Sequence, residues 1–289
     1  MNGYAESGSP NILTVDYEDW FHILRRGRTS PSEGDPPPLH VEKDIRPLLD
    51  LLDRFRSRAT FFLVGSLAER TPDLVRELRL RGHGLASHGY HHRAPSTMTE
   101  AEFRDDLRRS SEVIERIAGI RPRGYRAPGF GVRECPFSYL EVLRDEGIEY
   151  DSSRFPGVFP GRRVRGGPHD PHRQGEGIGG VREIPVSAEP VLMWPVVFSG
   201  GGFLRFLPEW YIRRCSRRVR RQNRPVVYYV HPRDLCPRSP TVSVAPWHKW
   251  RYYGGRSTVR RKMENLLRIV PCTSVETYLD ELREGRLLS

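Results

Sequence analysis

Short apolar segments alternate with amphipathic segments along this chain from residue 11 almost to its end. The segments 11–16, 59–64 and 84–87 are apolar and have the length of β-strands. Between the first two, leucine and isoleucine recur every three or four residues, which is the period of an α-helix. Strands that alternate with helices in this way predict a parallel α/β sheet with helices on its outside.

The alternation extends into the C-terminal half, where further strands are predicted just before residue 126 and at 148–151, 181–186 and 226–230. Gly, Pro and Arg are abundant between 155 and 180, which predicts a long irregular loop. The predicted organisation is a flexible N-terminus at 1–10, one domain at 11–235, and a C-terminal extension at 236–289 packed on the same domain.

Two capping boxes predict where helices of the first half begin. Ser66-x-x-Glu69 is expected to open a helix that ends at Gly82, and Thr99-x-x-Glu102 to open a longer one that ends near Gly119. Both helices would cross over between neighbouring parallel strands.

The chain is strongly basic, with a formal net charge of +11. The densest run, 213–221, predicts the exposed face of one helix, either solvated or in contact with an anionic partner. No nucleic-acid motif accompanies the charge, so nucleic acid is not expected as a partner. Residues 1–10 lack the pattern of a signal peptide, and no apolar run could span a bilayer. We therefore expect a cytoplasmic protein, with peripheral membrane association as an alternative; the sequence does not predict the oligomeric state.

Polar side chains follow five predicted strands at the point where each strand ends. Because the carboxyl ends of parallel strands meet at one rim of such a fold, we expect these groups to form one site. The five segments are Asp16–Asp19, Ser87–His92, Arg126–Pro128, Tyr150–Ser153 and Val230–Pro232.

His88 and His92 are spaced so that one tight turn, helical or not, would aim both imidazoles at one metal ion. A carboxylate would complete a set of two histidines and one acid with positions left open for water and substrate. Asp16, Glu18 and Asp19 are the candidates, and an acid that does not bind metal is placed to act as a general base. Each group taken alone could equally be a cap or a solvated turn.

The motifs T-V-D-x-E-D, S-H-x-x-x-H, Y-R-A-P-x-F, Y-D-S-S and V-H-P occur here in that order. The series resembles the NodB-homology polysaccharide deacetylases, carbohydrate esterase family 4, and most of all the branch of exopolysaccharide loci that carries a C-terminal extension. The resemblance implies a distorted (β/α) barrel with parallel strands and outer helices. It also implies a metal-dependent hydrolase that removes N-acetyl groups from amino sugars of a polysaccharide or its lipid-linked precursor, with an N-acetylated glycan as partner and a divalent metal, Zn²⁺ by expectation, as cofactor.

Carried over to this sequence, the resemblance makes Asp16 the catalytic base and His231 the general acid that protonates the leaving amine. Arg126 corresponds to the arginine that orients the base, and Asp151 falls near the acid that tunes the late histidine. Gly200–Pro208 resembles a substrate-facing loop, and the stretch from Trp247 to Gly254 resembles an aromatic tail element of the same branch.

The resemblance also makes His88 and His92 metal ligands, but the first motif departs from the usual pair of adjacent acids. Strand alternation turns Glu18 to the same side as Asp16 and favours Glu18 as the third ligand. A turn that begins at Tyr17 would instead favour Asp19. Asp19 is the third ligand that we expect.

Two other functions are compatible with the same fold. One is a metal-independent hydrolase of a cyclic amide, similar to an allantoinase. The other is a catalytically inactive, glycan-binding member of the fold. The intact pair His88 and His92 favours the deacetylase over the first, and the presence of Asp16, Arg126 and His231 together favours it over the second.

Overall fold

The computed structural model describes residues 9–25, 37–133, 135–156, 172–173, 180–191, 194–241 and 253–286. The strands are β1 Asn11–Tyr17, β2 Thr60–Leu63, β3 Gly84–Ser87, β4 Gly124–Tyr125, β5 Tyr150–Asp151, β6 His172–Arg173, β7 Arg182–Glu183, β8 Ala188–Val191, β9 Trp194–Val197, β10 Val226–Val230 and β11 Cys272–Thr273.

The α-helices are α1 Val41–Asp44, α2 Arg46–Arg54, α3 Gly65–Arg70, α4 Pro72–Leu80, α5 Glu100–Ala118, α6 Tyr139–Asp145, α7 Gly201–Phe206, α8 Glu209–Arg221, α9 Pro232–Leu235, α10 Arg256–Ile269 and α11 Val275–Arg283. Short 3₁₀ turns lie at Trp20–Arg25, Pro95–Thr97 and Pro128–Phe130.

Nine of the described strands form one sheet in the order β10-β1-β2-β3-β4-β5-β7-β6, and β11 also pairs with β1. Every pairing in this sheet is parallel except that of β6 with β7. Strands β8 and β9 form a separate antiparallel pair. The sheet curves into the predicted distorted (β/α) barrel with parallel strands and outer helices, and the fold prediction is confirmed.

Strand β1 lies in the middle of the sheet and is buried along its whole length. Leu13, Val15 and Tyr17 contribute to the large apolar cluster on the helix side, whereas Ile12 belongs to a smaller cluster inside the barrel. Since successive side chains of a strand point to opposite faces, Asp16 shares the inner face with Ile12. Apolar residues of α11 join the same inner cluster. The interior is therefore apolar where α11 packs and polar at the carboxyl ends of the strands.

The two capping predictions have different outcomes. Thr99 caps α5 with Glu102 in the predicted box, and Gly119 ends that helix in the left-handed conformation. The box at Ser66 is wrong: α3 begins one residue earlier, and a separate helix starts at Pro72. Proline lacks an N–H and disfavours helix in the residue before it, so one continuous helix cannot form there.

Several predictions fall on parts of the chain outside the described residues. These are the N-terminus at 1–8, most of the loop between 155 and 180, and the aromatic tail up to residue 252. Within 236–289, strand β11 and helix α11 join the main sheet and its interior, while the predicted domain boundaries stay a prediction. None of the helices in the described part of the chain is both long and apolar enough to cross a bilayer.

Candidate active site

Four strands deliver one polar side chain each to the inner rim of the barrel. Asp16 is the next-to-last residue of β1, His88 follows β3, Arg126 follows β4 and His231 follows β10. Three of the four are almost completely buried, and His231 is more exposed. The shared rim expected from the sequence is therefore present in the structure.

A loop anchored by a helix holds the two histidines. Between His88 and His92 the backbone is not helical, and Asp106 of α5 accepts the N–H groups of Tyr90 at 2.7 Å and His91 at 2.9 Å. His92 has φ of 58°, which is uncommon for a residue with a side chain. This tight, non-helical turn brings the two imidazole rings to a centroid distance of 5.1 Å.

Glu18 lies between the two histidines. Its Oε1 atom is 2.9 Å from His92 Nε2 and 3.4 Å from His88 Nε2. Its Oε2 atom accepts a hydrogen bond of 3.0 Å from Arg233 Nη1. One carboxylate and two imidazoles thus converge on one point, with ligand atoms within 4.8 Å of one another.

Asp19, the acid expected to complete this set, is used elsewhere. Its Oδ1 atom accepts the N–H of Trp20 at 2.7 Å, and its Oδ2 atom accepts those of His40 at 2.8 Å and Val41 at 3.1 Å. Both oxygens therefore cap backbone where β1 runs into the following turn and where α1 starts. The structure therefore brings Glu18, and not Asp19, to the two histidines. It does so although the backbone turns at Tyr17, where the N–H of Glu18 donates to the carbonyl oxygen of Asp16 at 2.9 Å.

Arg126 is fully buried and uses its whole guanidinium group. Nη1 binds Asp16 Oδ1 at 2.6 Å, Nη2 binds Thr14 Oγ1 at 2.9 Å and Ser152 Oγ at 2.7 Å, and Nε binds the Ser152 carbonyl oxygen at 3.1 Å. The Phe62 ring lies 4.2 Å below the guanidinium carbon. Such a clamp holds the carboxylate of Asp16 in one orientation.

His231 is held by an acid from the helix that it precedes. Asp234 Oδ2 lies 3.0 Å from His231 Nδ1 and accepts the backbone N–H of His231 at 3.0 Å. Arg233, between them in sequence, reaches back to Glu18 as described. The acid expected beside His231 was Asp151; the structure puts Asp234 there instead.

Asp151 takes part in a second buried group on the neighbouring strands. It pairs in register with Glu183 of β7, and both acids are fully buried. Tyr139 donates a hydrogen bond of 3.0 Å to Asp151 Oδ2, and Ser153 donates to Oδ1. Burial raises the pKa of Asp151 to about 6, and burial together with Asp151 raises the pKa of Glu183 well above its usual value. Burial therefore favours the neutral forms of both acids, which lie on the strands next to that of Arg126.

The protonation states of the rim suit metal binding and base catalysis. Burial raises the pKa of Asp16, but Arg126, His88 and His231 together outweigh it and the net pKa is lowered. Burial likewise opposes ionisation of Glu18, yet the neighbouring His92, His231 and His88 favour its anion, and its pKa is well below the usual value. Burial lowers the pKa of His92, which keeps that imidazole neutral. Metal ligands must be in these deprotonated forms.

The donor set fits a divalent cation. His88 Nδ1 lies 2.7 Å from the carbonyl oxygen of Arg126, which can only accept, so Nδ1 carries the proton. In the neutral ring the lone pair of Nε2 then faces Glu18 Oε1 at 3.4 Å. Two acceptors that face each other in a buried site repel unless a cation lies between them. Metal-binding imidazoles are commonly oriented in this manner, by a carbonyl oxygen that accepts a hydrogen bond from the second ring nitrogen.

Solvent reaches this rim from the side of His231. Its side chain is 15% exposed, compared with 5% for Asp16 and none for His88. His231 Nε2 is 3.8 Å from Asp16 Oδ2 and 3.9 Å from Glu18 Oε2, too far for direct hydrogen bonds. Spacings of this kind leave room for a water molecule or a substrate atom among the three groups.

Comparison with known families assigns part of the chain to a class. Residues 35–148 match the polysaccharide deacetylase family, and residues 152–280 match a domain of unknown function, DUF3473. The matched segment 35–148 thus defines a polysaccharide deacetylase domain within the barrel. The resemblance to the NodB-homology polysaccharide deacetylases, carbohydrate esterase family 4, that the motifs predicted is confirmed for this part of the chain. Its place in the exopolysaccharide branch stays a prediction.

Curated relatives cover only part of the chain. A peptidoglycan-N-acetylglucosamine deacetylase of Bacillus cereus is 35% identical over 94 residues, which are 32% of this chain and 33% of that protein. A peptidoglycan deacetylase of Helicobacter pylori is 32% identical over 143 residues, 49% of this chain and 47% of that protein. The chain therefore spans from a third to about half the length of these relatives.

Solved structures share the fold over nearly the whole chain. A candidate polysaccharide deacetylase of Mycobacterium smegmatis has a TM-score of 0.59 at 21% identity, covering 99% of this chain and 94% of that one. A probable polysaccharide deacetylase of Pseudomonas aeruginosa PAO1 has a TM-score of 0.64 at 16% identity, with 97% and 92% covered. Puue allantoinase has a TM-score of 0.62 at 15% identity, with 99% and 94% covered. The fold alone therefore does not decide between amide substrates.

Sequence reasoning missed three residues that support the rim. Asp106 lies in the middle of an amphipathic helix, where nothing in the sequence marks it as an anchor. Arg233 and Asp234 follow His231 directly, and the acid three residues after His231 has the spacing of a capping box, which was an available signal.

Proposed function

We propose that this protein is a metal-dependent hydrolase that removes N-acetyl groups from amino sugars of a glycan. The observation that carries the proposal is the convergence of Glu18, His88 and His92 beside Asp16 and His231 at one rim. The relatives support the reaction, because those named above are peptidoglycan deacetylases and a further one is a chitin deacetylase of Colletotrichum lindemuthianum.

Glu18, His88 and His92 would hold the metal through one oxygen and two nitrogen donors. A bound divalent ion supplies Lewis-acid chemistry, polarising an amide carbonyl and acidifying water. Three protein donors of this kind are typical of catalytic zinc sites, and we propose Zn²⁺, although Co²⁺, Ni²⁺ and Mn²⁺ accept the same donors.

Asp16 is the proposed base. Arg126 occupies its Oδ1 atom, while Oδ2 faces His231 across 3.8 Å, where an attacking water molecule fits. The lowered pKa keeps Asp16 ionised at neutral pH and ready to take a proton from that water.

His231 is the proposed acid. With Asp234 bound at Nδ1, its Nε2 atom faces the same space and can give a proton to the amide nitrogen as the C–N bond breaks. Water thus adds to the carbonyl carbon and the C–N bond breaks. One proton of the water ends on the amine nitrogen and the other leaves with the carboxylic acid, so the products are a free amino sugar, acetate and a proton. Asp234 is a positioning residue, which takes the role that the sequence assigned to Asp151.

The substrate is proposed to enter at His231, the most exposed group of the rim. Next to it, Phe130, Phe155, Phe203 and Tyr229 form an apolar wall, with Tyr229 and His231 ring centroids 6.0 Å apart. Phe203 belongs to the segment predicted to face substrate. Aromatic rings of this kind can pack on the apolar faces of sugar rings, which supports a polysaccharide or its lipid-linked precursor as substrate.

The test is acetate release from a panel of N-acetylated oligosaccharides, with metal analysis of the same preparation. We expect activity that a chelator abolishes and Zn²⁺ restores, and that Asp16→Asn abolishes. Arg79→Gln, a change at an exposed residue of α4, serves as the control and should be fully active. Activity on a cyclic amide that survives the chelator would contradict the proposal, as would the absence of acetate release from every glycan.

A further inference from the structure

Helix α8 presents a row of exposed arginines that ends in a tryptophan. Five residues of the helix are spaced by three or four positions or by multiples of a turn, so they lie on one side of it. They are Trp210, Arg214, Arg217, Arg218 and Arg221. All five are exposed, while the opposite side of α8 packs into the core. We call these five residues the α8 arginine face.

Most of the charge on this face is not neutralised by the protein. Among the described residues, Arg214, Arg217 and Arg221 form no ion pair, whereas Arg218 binds Glu189 at 3.0 Å. Glu209 is the acid closest in sequence, and it lies 3.9 Å from Arg213. Solvated arginines are common singly, but a continuous row without acids between them creates a local positive field.

The face also carries exposed apolar surface, which a purely solvated helix would not need. Among the described residues, three large hydrophobic side chains are exposed: Trp210 at 67%, Phe206 at 39% and Leu80 at 87%. Trp210 begins the arginine row on α8, and Phe206 lies four residues before it at the end of α7. A cavity of about 640 Å³ runs along the face, lined by Trp210, Glu209, Gln222 and arginines of α8.

The tryptophan end of the face points toward the rim of the barrel. Helix α8 leads directly into β10 and packs beside it, so the helix runs antiparallel to the strand. His231 follows the carboxyl end of β10, and Trp210 therefore lies toward that same edge of the sheet. With 13 residues, the helix extends for about 20 Å away from it.

We propose that the α8 arginine face is a docking surface for a bilayer that contains anionic lipids. The arginines would contact lipid phosphates, and Trp210 and Phe206 would enter the boundary between headgroups and acyl chains, where aromatic residues are favoured. A soluble polyanion would use the arginines but would leave these two side chains exposed. Docked in this way, the rim would face a glycan held close to the membrane, an arrangement that goes beyond the proposed deacetylation.

The test is flotation of the full-length chain with vesicles of phosphatidylcholine alone or with about one third phosphatidylglycerol. We expect binding to the anionic vesicles only. Each basic side chain at an anionic surface contributes about 1 kcal/mol, which is roughly fivefold in the partition coefficient. The double variant Arg214→Gln with Arg217→Gln should therefore bind about 25-fold more weakly, and Trp210→Ala should also reduce binding.

Matched controls separate this face from the net charge of +11. Arg56→Gln with Arg79→Gln removes two exposed charges elsewhere, and Leu80→Ala removes another exposed hydrophobic side chain. Both controls should bind as the unmodified protein does. Circular dichroism establishes that each variant is folded, and acetate release measures the proposed activity independently of vesicle binding.

Three outcomes would overturn the proposal. One is equal binding to neutral and anionic vesicles, or to neither. Another is an equal loss of binding in the face variants and the control variants. The third is binding to heparin or DNA that depends on Arg214 and Arg217, without binding to anionic vesicles, which would assign the face to a soluble polyanion.

Discussion

Exchanging Glu18 and Asp19, one at a time, tests which acid completes the proposed metal set. In Glu18→Gln the side chain keeps its shape but loses the negative charge that faces both imidazoles at 2.9 and 3.4 Å. Changing even a supporting residue of a metal site weakens binding 10- to 100-fold. We therefore expect at least about a 100-fold loss of metal affinity, and no acetate release at stoichiometric metal.

Asp19→Asn should have the opposite effect. Its two oxygens accept three backbone N–H groups, and the amide of asparagine offers only one acceptor. If that acceptor keeps the bonds from His40 and Val41, the N–H of Trp20 loses its partner, at a cost of about 1 to 3 kcal/mol. For a chain of this size each kcal/mol lowers Tm by about 2 to 4 °C. Metal affinity should change less than about threefold.

The assay pairs competition with a chromophoric chelator, for metal affinity, with thermal unfolding in excess chelator, for stability of the metal-free protein. The two variants are each other's controls, since each removes one charge from adjacent positions of one turn. If Asp19→Asn loses the metal while Glu18→Gln retains it, with both folded, the reasoning from geometry is refuted and the ligand expected from the sequence is restored.

Three further predictions concern the groups around the rim. Asp234→Asn should move the alkaline limb of the pH–rate profile to lower pH, because ionised Asp234 favours the protonated form of His231, the proposed acid. The pKa of Asp234 itself is lowered by His231 despite its burial. An unchanged profile would remove Asp234 from this role. Arg126→Ala should cost about 3 to 5 kcal/mol in chemical denaturation, because it leaves a buried carboxylate without its partner, whereas a cost below about 1 kcal/mol would show that the clamp is dispensable. Burial raises the pKa of Asp151 from 3.8 to about 6, so the folded state binds more protons than the unfolded state between these values and stability falls as pH rises through this window. Asp151→Asn should remove this fall and gain up to about 3 kcal/mol at pH 8 with little change at pH 3, as measured by denaturation at the two pH values; equal effects at both would refute the raised pKa.

Much of the fold could be predicted from local pattern. The seven predicted strands of the main sheet all occur, and the capping box at Thr99 and the glycine at 119 mark the ends of α5 as expected. The prediction failed at Pro72, where one residue overrode a motif. It also did not anticipate β6 and β11, where no apolar run marks a strand and the pairing with a neighbouring strand defines it.

The sequence by itself determined the alternation of strands and helices, the order of the polar segments and hence the shared rim that holds Asp16, His88, Arg126 and His231. Only the tertiary structure decided which acids serve that rim, because an acid acts on whatever lies near it in space. Asp19 lies next to the right strand, yet backbone N–H groups claim its oxygens. Asp151 ends the right strand, yet its partner across the sheet is Glu183, while a one-turn helix supplies Asp234 to His231.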